Sequence, residues 1–356
     1  MDSLMEVLKR AVEGRALHDE EIQGLLEVSS PEEREELFRA ARARREKFFG
    51  QHVFLYGFVY FSTYCRNGCN FCLYRRGNSK SLRYRKSMDE ILAAASALKE
   101  SGVHLIDLTM GEDPFYLSEG AEGYERLAGL VDAVKKETSL PVMVSPGVVE
   151  DSLLERLREA GADWYACYQE THTFPLYQEL RPGQPYEKRW GAKAFAKNCG
   201  MLVEEGVMTG VGESTEDLLR SIHAMESLGA DQVRAMTFVP QVGTPMFGAS
   251  GKNQRELNLI AVMRLLLPDR IIPASLDVEG AEGLKARLEA GANAVTSLIP
   301  PQSGLAGVAR CHEGIDNGSR TVKGILPILE ECGLASATVE EYESWVEKRK
   351  RGGGAR

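Results

Sequence analysis

The sequence contains no run of 18 apolar residues, so no helix is expected to span a bilayer. The opening segment, MDSLMEVLKRAVEGR, is amphipathic and charged and has no apolar signal-peptide centre; a cytoplasmic protein is expected. Positive charge is in deficit. The chain carries 43 Lys and Arg against 52 Asp and Glu, a formal charge of −9, which argues against nucleic acid as a partner. Histidine is sparse: His18, His52, His104, His172, His223 and His312 are dispersed without H-E-x-x-H spacing. No nucleophile–His pairing is visible, which speaks against an ordinary barrel hydrolase. Only His172 falls clearly on a strand-end loop, where a solvated or core role is the simpler reading. Internal repeats and low-complexity segments are lacking. The 43% hydrophobic and 27% charged residues are those of an ordinary globule, and 356 residues suit two average domains or one large α/β barrel.

Cysteine is scarce but unevenly placed. Of the seven, Cys167, Cys199, Cys311 and Cys332 are scattered and read as small buried hydrophobes. The other three form Cys65-Arg66-Asn67-Gly68-Cys69-Asn70-Phe71-Cys72, a C-x3-C-x2-C loop. In a reducing compartment this reads as metal-binding or catalytic rather than disulfide-forming. Three thiolates on one loop suit three corners of a cubane 4Fe-4S cluster, leaving one iron open because no fourth cysteine lies nearby. Structural zinc would want a fourth protein ligand, recruited from Cys167 or a distant His.

The rest of the chain sets the fold. Residues 1–50 read as helices, with Ser30 capping a helix that opens at Pro31. Strand candidates follow at 53–61, 103–109, 141–145, 164–168, 207–211, 232–238, 270–276 and 294–298. Amphipathic stretches alternate with them, including 186–205, and glycines 102, 161, 206, 229 and 291 follow the helices. Eight strands alternating with helices predict a (β/α)8 TIM-type barrel over 51–335 with an N-terminal helical extension, a doubly wound sheet being the alternative. Residues 336–356 are expected to be a C-terminal helix and a basic, Gly-rich tail. Both folds place function beyond the carboxyl ends of the strands, where the cysteine loop follows the first strand.

With its aromatic before the last Cys, after the first strand of a β/α repeat, the loop resembles the radical S-adenosylmethionine (SAM) superfamily. The resemblance implies that the amino and carboxylate groups of SAM chelate the open iron, that Phe71 lies by the adenine, and that a 5′-deoxyadenosyl radical is produced. Met110-Gly111-Glu112 is similar to the family's Gly-Gly-Glu stretch at the SAM amino group, with Met110 replacing the first Gly. Ser145, Glu170 and Arg189 resemble SAM-holding positions of the biotin synthase and hydrogenase-maturase branch, the arginine meeting the carboxylate. Taken alone, Glu112 could be a helix-start acid and Arg189 a surface cation. No cysteine lies on the third strand or through residues 201–211, and Ser275, Leu276 and Asp277 stand where an arginine cluster ligand would be wanted. The barrel interior is thus expected to lack a sulfur donor.

Asp107, Arg234, Ser275 and Asp277 lie within apolar strands, where a charge is costly unless paired or used. One cation and two anions fit a diamino acid, Arg234 taking the carboxylate and the acids the ammonium groups; a structural ion network is the alternative. The segments DLTMGEDP (107–114), YQET (168–171), Met236–Gln241 and PASLDVEG (273–280) resemble the methylornithine synthase family of the pyrrolysine pathway over roughly residues 50–310. This implies a mutase acting on L-lysine by hydrogen abstraction, carbon–carbon fragmentation and recombination, with SAM, the 4Fe-4S cluster and a low-potential donor such as flavodoxin or ferredoxin. A hydrogenase-maturase-like enzyme and a metal-binding module without chemistry are the rival expectations.

Overall fold

The computed structural model describes residues 3–117, 120–248, 254–305, 307, 315 and 317–352. Cys311, His312 and the end of the basic tail lie outside them. Eight parallel strands run in the order β6-β5-β4-β3-β2-β1-β8-β7. They are β1 (His52–Ser62), β2 (Leu105–Met110), β3 (Val142–Ser145), β4 (Ala162–Ala166), β5 (Leu202–Thr209), β6 (Gln232–Thr237), β7 (Pro273–Ser275) and β8 (Ala294–Leu298). A parallel bridge from Gln232 to Ile271 joins β6 to the segment before β7, so the sheet closes on itself. Closure decides for the barrel over the doubly wound sheet.

Burial on both faces explains why these strands read as apolar runs. One face of β1 sends Leu55, Val59 and Phe61 against the helices. The other sends Tyr56, Phe58 and Tyr60 into the barrel. The helix Val339–Gly352 caps the barrel's lower end. There Trp345 stacks on Trp164 at 5.9 Å, and Tyr342 meets Phe54 at 4.9 Å and hydrogen-bonds Tyr56 at 3.0 Å. A short strand β9 (Ala335–Ser336) extends the sheet beside the start of β1. Helices α1 (Leu4–Glu13), α2 (Asp19–Leu26) and α3 (Pro31–Phe49) pack on the barrel's outside. Ser3 and Ser30 cap α1 and α3 by accepting from the backbone N–H of Glu6 and Glu33.

The fifth strand corrects the sequence reading. The helix expected over 186–205 is Tyr186–Asn198, and the strand expected at 207–211 begins at Leu202. Gly200, at φ +85°, ends the helix in the left-handed conformation. Glu204 and Glu205 look like an exposed helical turn in sequence, yet both are fully buried. Glu204 faces Arg234 inside the barrel, and Glu205 faces Lys193 outside it.

Candidate active site

Beyond the carboxyl ends of the strands lies a cavity of 240 Å³. It gathers every site residue expected from sequence: Cys65, Cys69, Cys72, Phe71, Glu112, Ser145, Glu170, Arg189, Asp107, Arg234, Ser275 and Asp277. The cysteine loop leaves the end of β1 and folds over the barrel mouth. Its closeness to β2 depends on Gly111. A Cβ there would collide with the Tyr64 carbonyl and sit 2.8 Å from Cys65 Cβ. The carboxylate of Asp113 takes both Arg85 donors, at 2.6 and 2.8 Å, and the Ser62 hydroxyl at 2.5 Å, pinning the loop's base.

Burial first, then the neighbouring thiols, pushes the Cys72 thiol well above the ordinary cysteine value; burial dominates at Cys65 as well. Thiols so placed ionise when a metal centre compensates them. Among the described residues no three His, Cys, Asp or Glu groups are gathered closely enough to hold one metal ion. A cubane makes no such demand, because each thiolate takes a different iron. Arg181 and Gln184 donate to Cys69 Sγ at 3.3 and 3.1 Å. The Cys167 thiol, considered from sequence as a fourth zinc ligand, instead accepts from Arg189 at 3.0 Å. Cys167 also lines the cavity, so the site does hold a sulfur besides the loop's three. Cys199, at the end of the helix Tyr186–Asn198, is not among the cavity residues.

Around the loop sits a tier of alternating charge. Arg189 Nη2 reaches Glu112 Oε1 at 3.2 Å and Gln184 Oε1 at 2.9 Å. Arg66 meets the other Glu112 oxygen at 3.1 Å, and the Val148 N–H donates to Glu112 at 3.0 Å. Glu112 is therefore a buried, shared carboxylate and not a helix cap. Arg189 is 2% exposed, which removes the surface reading. Arg181 binds Glu170 Oε1 at 2.6 Å and lies over the Phe71 ring at 5.1 Å. Glu170 sits at φ +70°, and its Oε2 has no protein partner; neither does Nε of Arg181 or Arg189.

Deeper in the barrel is a second tier. Arg234 donates through Nε to Glu204 at 2.6 Å and through Nη1 to Thr296 at 3.0 Å, leaving Nη2 unpartnered. Gln232 and Tyr168 complete the hold on Glu204, at 2.5 and 2.9 Å. Burial opposes the Arg234 charge, but Glu204 together with Tyr168 and Asp107 outweighs it and holds the guanidinium above its ordinary pKa. Asp277 is also engaged, by Arg320 at 2.8 Å, Tyr60 at 2.9 Å and Ser297 at 3.0 Å. Ser275 supports it by accepting from the Asp277 N–H at 3.2 Å.

Asp107 has no cation of its own. Ser145 and Thr109 donate to its Oδ1, each at 3.0 Å, and Oδ2 is bare. Burial, then Glu204, raises its pKa to about 7. Ser145, placed by the resemblance at SAM, therefore also touches Asp107. Glu204 and Arg320 are partners that sequence reasoning missed. Glu204 reads from sequence as part of the helix over 186–205. Arg320 follows β8 by a long connection, with no local signal that it returns to the barrel.

His172 is buried, 3.5 Å from Glu205, with Lys193 on the same carboxylate. This cluster is outside the cavity and supports the core reading of that histidine.

The comparisons with known proteins agree with this geometry. Residues 59–225 match the radical SAM superfamily. The 3-methylornithine synthase of Methanosarcina acetivorans is 44% identical over 337 residues, covering 94% of this chain and 95% of that one. The enzyme of the same name from Methanosarcina barkeri is 44% identical over 345 residues, 97% of each. The [FeFe] hydrogenase maturase subunit HydE of Thermotoga maritima is 30% identical over 82% of each chain. A crystal structure of methylornithine synthase superposes with a TM-score of 0.90 at 44% identity, covering 95% of this chain and 99% of that one. With closed barrel, cysteine loop and near full-length identity in agreement, the chain belongs to the 3-methylornithine synthase family of radical SAM enzymes.

Proposed function

We propose that this chain rearranges L-lysine into (3R)-3-methyl-D-ornithine for pyrrolysine synthesis in the cytoplasm, taking electrons one at a time from a low-potential carrier protein. Cys65, Cys69 and Cys72 would hold three irons of a 4Fe-4S cluster, with the fourth open to SAM. Bound together, cluster and SAM supply a 5′-deoxyadenosyl radical. The donor set fits them: three thiols on one loop line the same cavity as Glu170, Arg181 and Arg189, each of which has a buried polar side-chain atom without a protein partner. Arg189 would meet the SAM carboxylate and Glu112 its amino group, with Phe71 against the adenine and Ser145 and Glu170 holding the remainder.

The observation that carries the substrate reading is the charge of the deeper tier. Asp107, Glu204 and Asp277 stand against Arg234 and Arg320, three carboxylates to two guanidiniums. One negative charge is left over, and lysine carries one net positive charge. Among the described residues of this tier that line the cavity, the unpartnered polar atoms are of opposite kind, Asp107 Oδ2 and Arg234 Nη2. Asp107 would accept an ammonium and Arg234 Nη2 would donate to the carboxylate, with Asp277 and Ser275 facing the other amine. The sealed lower end and the walls of Phe58, Tyr60, Met208 and Met236 exclude water and keep fragments together.

The test is anaerobic incubation of reconstituted protein with L-lysine, SAM and a strong reductant. Product and substrate are isomers, so derivatisation and chromatography must separate them. A new peak that vanishes in Cys69→Ala is expected. Deoxyadenosine without that peak would refute lysine as the substrate.

A further inference from the structure

The polypeptide around the cysteine loop has a charge opposite in sign to that of the chain as a whole. Residues 63–88 contain Arg66, Arg75, Arg76, Lys80, Arg83, Arg85 and Lys86 and not one Asp or Glu, in a protein of net charge −9. Three of these cations are neutralised: Arg66 by Glu112, Arg85 by Asp113 and Lys86 by Glu90. The other four meet no carboxylate among the described residues. Arg75 and Arg83 donate instead to backbone carbonyls, Arg75 to Cys69 at 3.1 Å and Arg83 to Tyr74 at 2.9 Å. Such bonds fix the guanidiniums and leave their charge uncompensated. Arg76 and Lys80 are exposed.

This strap is built onto the cluster ligands. The Arg75 N–H donates to the Cys72 carbonyl at 3.1 Å, and the Arg76 N–H to Asn67 at 2.7 Å, between the first two cysteines. A second loop braces it, with Asn78 donating to the Val242 carbonyl at 2.9 Å and the Met246 N–H to Asn70 at 3.2 Å. The two segments expose large apolar side chains: Leu82 is 57% exposed, Val242 38% and Phe247 56%. Exposed cations beside apolar anchors fit a protein partner of opposite charge.

We infer that the strap of residues 75–83, with the loop bearing Val242 and Phe247, is the docking surface for an acidic one-electron carrier protein of the flavodoxin kind. The inference rests on the function proposed above, which needs an electron delivered at the cysteines. Docking here sets the carrier against residues contiguous with Cys69 and Cys72. The partner's acidic surface would supply the counter-charge that the strap lacks, and long-range attraction would speed encounter in low salt.

The probe is a purified bacterial flavodoxin, tested against reconstituted wild type and the double reversal Arg76→Glu, Lys80→Glu. Neither side chain lines the cavity. Binding at low ionic strength is expected to weaken at least tenfold in the variant, and in wild type on adding 0.5 M salt. Zero-length carbodiimide cross-links, which join carboxylates to amines, are expected to map flavodoxin acids to Lys80. Deoxyadenosine formation driven by flavodoxin should fall at least tenfold in the variant, while formation driven by dithionite stays within twofold. Equal flavodoxin affinity of the two proteins, or cross-links confined to a different face, would overturn the docking surface. Absence of dithionite-driven SAM cleavage in wild type would instead overturn the proposed function, and the binding and cross-linking results would still decide the docking surface.

Discussion

If Asp107 receives the substrate ammonium, its ionisation should govern lysine capture near neutral pH. Its pKa is raised from 3.8 to about 7, by burial first and Glu204 second. In the free enzyme at pH 6, about one molecule in ten then has the charge an ammonium needs. Lysine itself changes charge well above this window. The value of kcat/KM for lysine should therefore rise about fivefold from pH 6 to 7, reach about tenfold by pH 8 and level off above it. Dithionite-driven SAM cleavage serves as the reference at each pH. Asp107→Asn should flatten that limb and raise KM at least tenfold, because a neutral amide offers no charge to an ammonium.

The same group makes an opposite prediction for stability. The folded value lies above the unfolded one, so the folded protein retains a proton that the unfolded chain releases. Stability falls as pH rises from about 4 to about 7 and is level beyond. The difference between 3.8 and 7 corresponds to about 4 kcal/mol. Asn at this position removes the buried charge but leaves an amide N–H group without a partner, at about 1–3 kcal/mol. A net gain of about 1–3 kcal/mol is expected for Asp107→Asn at pH 8, and none at pH 4. Thermal unfolding of apoprotein at the two pH values checks it. A pH-independent kcat/KM between 6 and 8, or an Asn variant with wild-type KM, would refute the assignment of Asp107 to the substrate.

Other expectations follow from the remaining contacts. Glu204→Gln removes the carboxylate from a buried guanidinium and should cost about 3–5 kcal/mol, read by denaturant unfolding, with KM for lysine rising as Arg234 shifts. Gly111→Ala should lower iron and sulfide per chain after reconstitution, because the new methyl group pushes the cysteine loop away from β2, while circular dichroism is unchanged. Lys193→Met leaves Glu205 buried without its cation and should cost about 3–5 kcal/mol at pH 7. Glu205 is depressed to about 2, against burial, by Lys193 and His172. The stability it contributes is present above about pH 4.5 and lost as pH falls toward 2, so the Lys193→Met deficit should shrink in acid.

The barrel was legible because parallel strands buried on both faces give short apolar runs, each answered by an amphipathic helix and a glycine turn. The cysteine loop was legible because its ligands are local in sequence. Ser145, Glu170 and Arg189 came through the family resemblance, and the structure places them at one cavity. What escaped were partners distant along the chain. Arg320 reaches Asp277 across 43 positions, and no periodicity encodes such a pairing.

Glu204 shows why one boundary mattered. Adjacent glutamates before a glycine favour a helical, exposed reading on propensity. Each finds a buried cation from a different side: Arg234 within the barrel, Lys193 from the helix outside. Pairing stabilises the strand where propensity does not. Moving the boundary from 207 to Leu202 also changes the chemistry of the site. Without Glu204 and Arg320, Arg234 would offer its whole guanidinium to a carboxylate, and two acids would await two amines. With them, Arg234 keeps only Nη2 free and Asp277 is already balanced, so discrimination falls on Asp107. An amino acid with a neutral side chain has no charge to satisfy the surplus carboxylate. It should therefore bind at least tenfold more weakly than lysine at pH 8, and the preference should shrink at pH 6 as Asp107 takes up its proton. Norleucine, which keeps the straight side chain without the terminal amine, is the comparison that tests this; equal competition by norleucine and lysine at both pH values would place the recognition elsewhere.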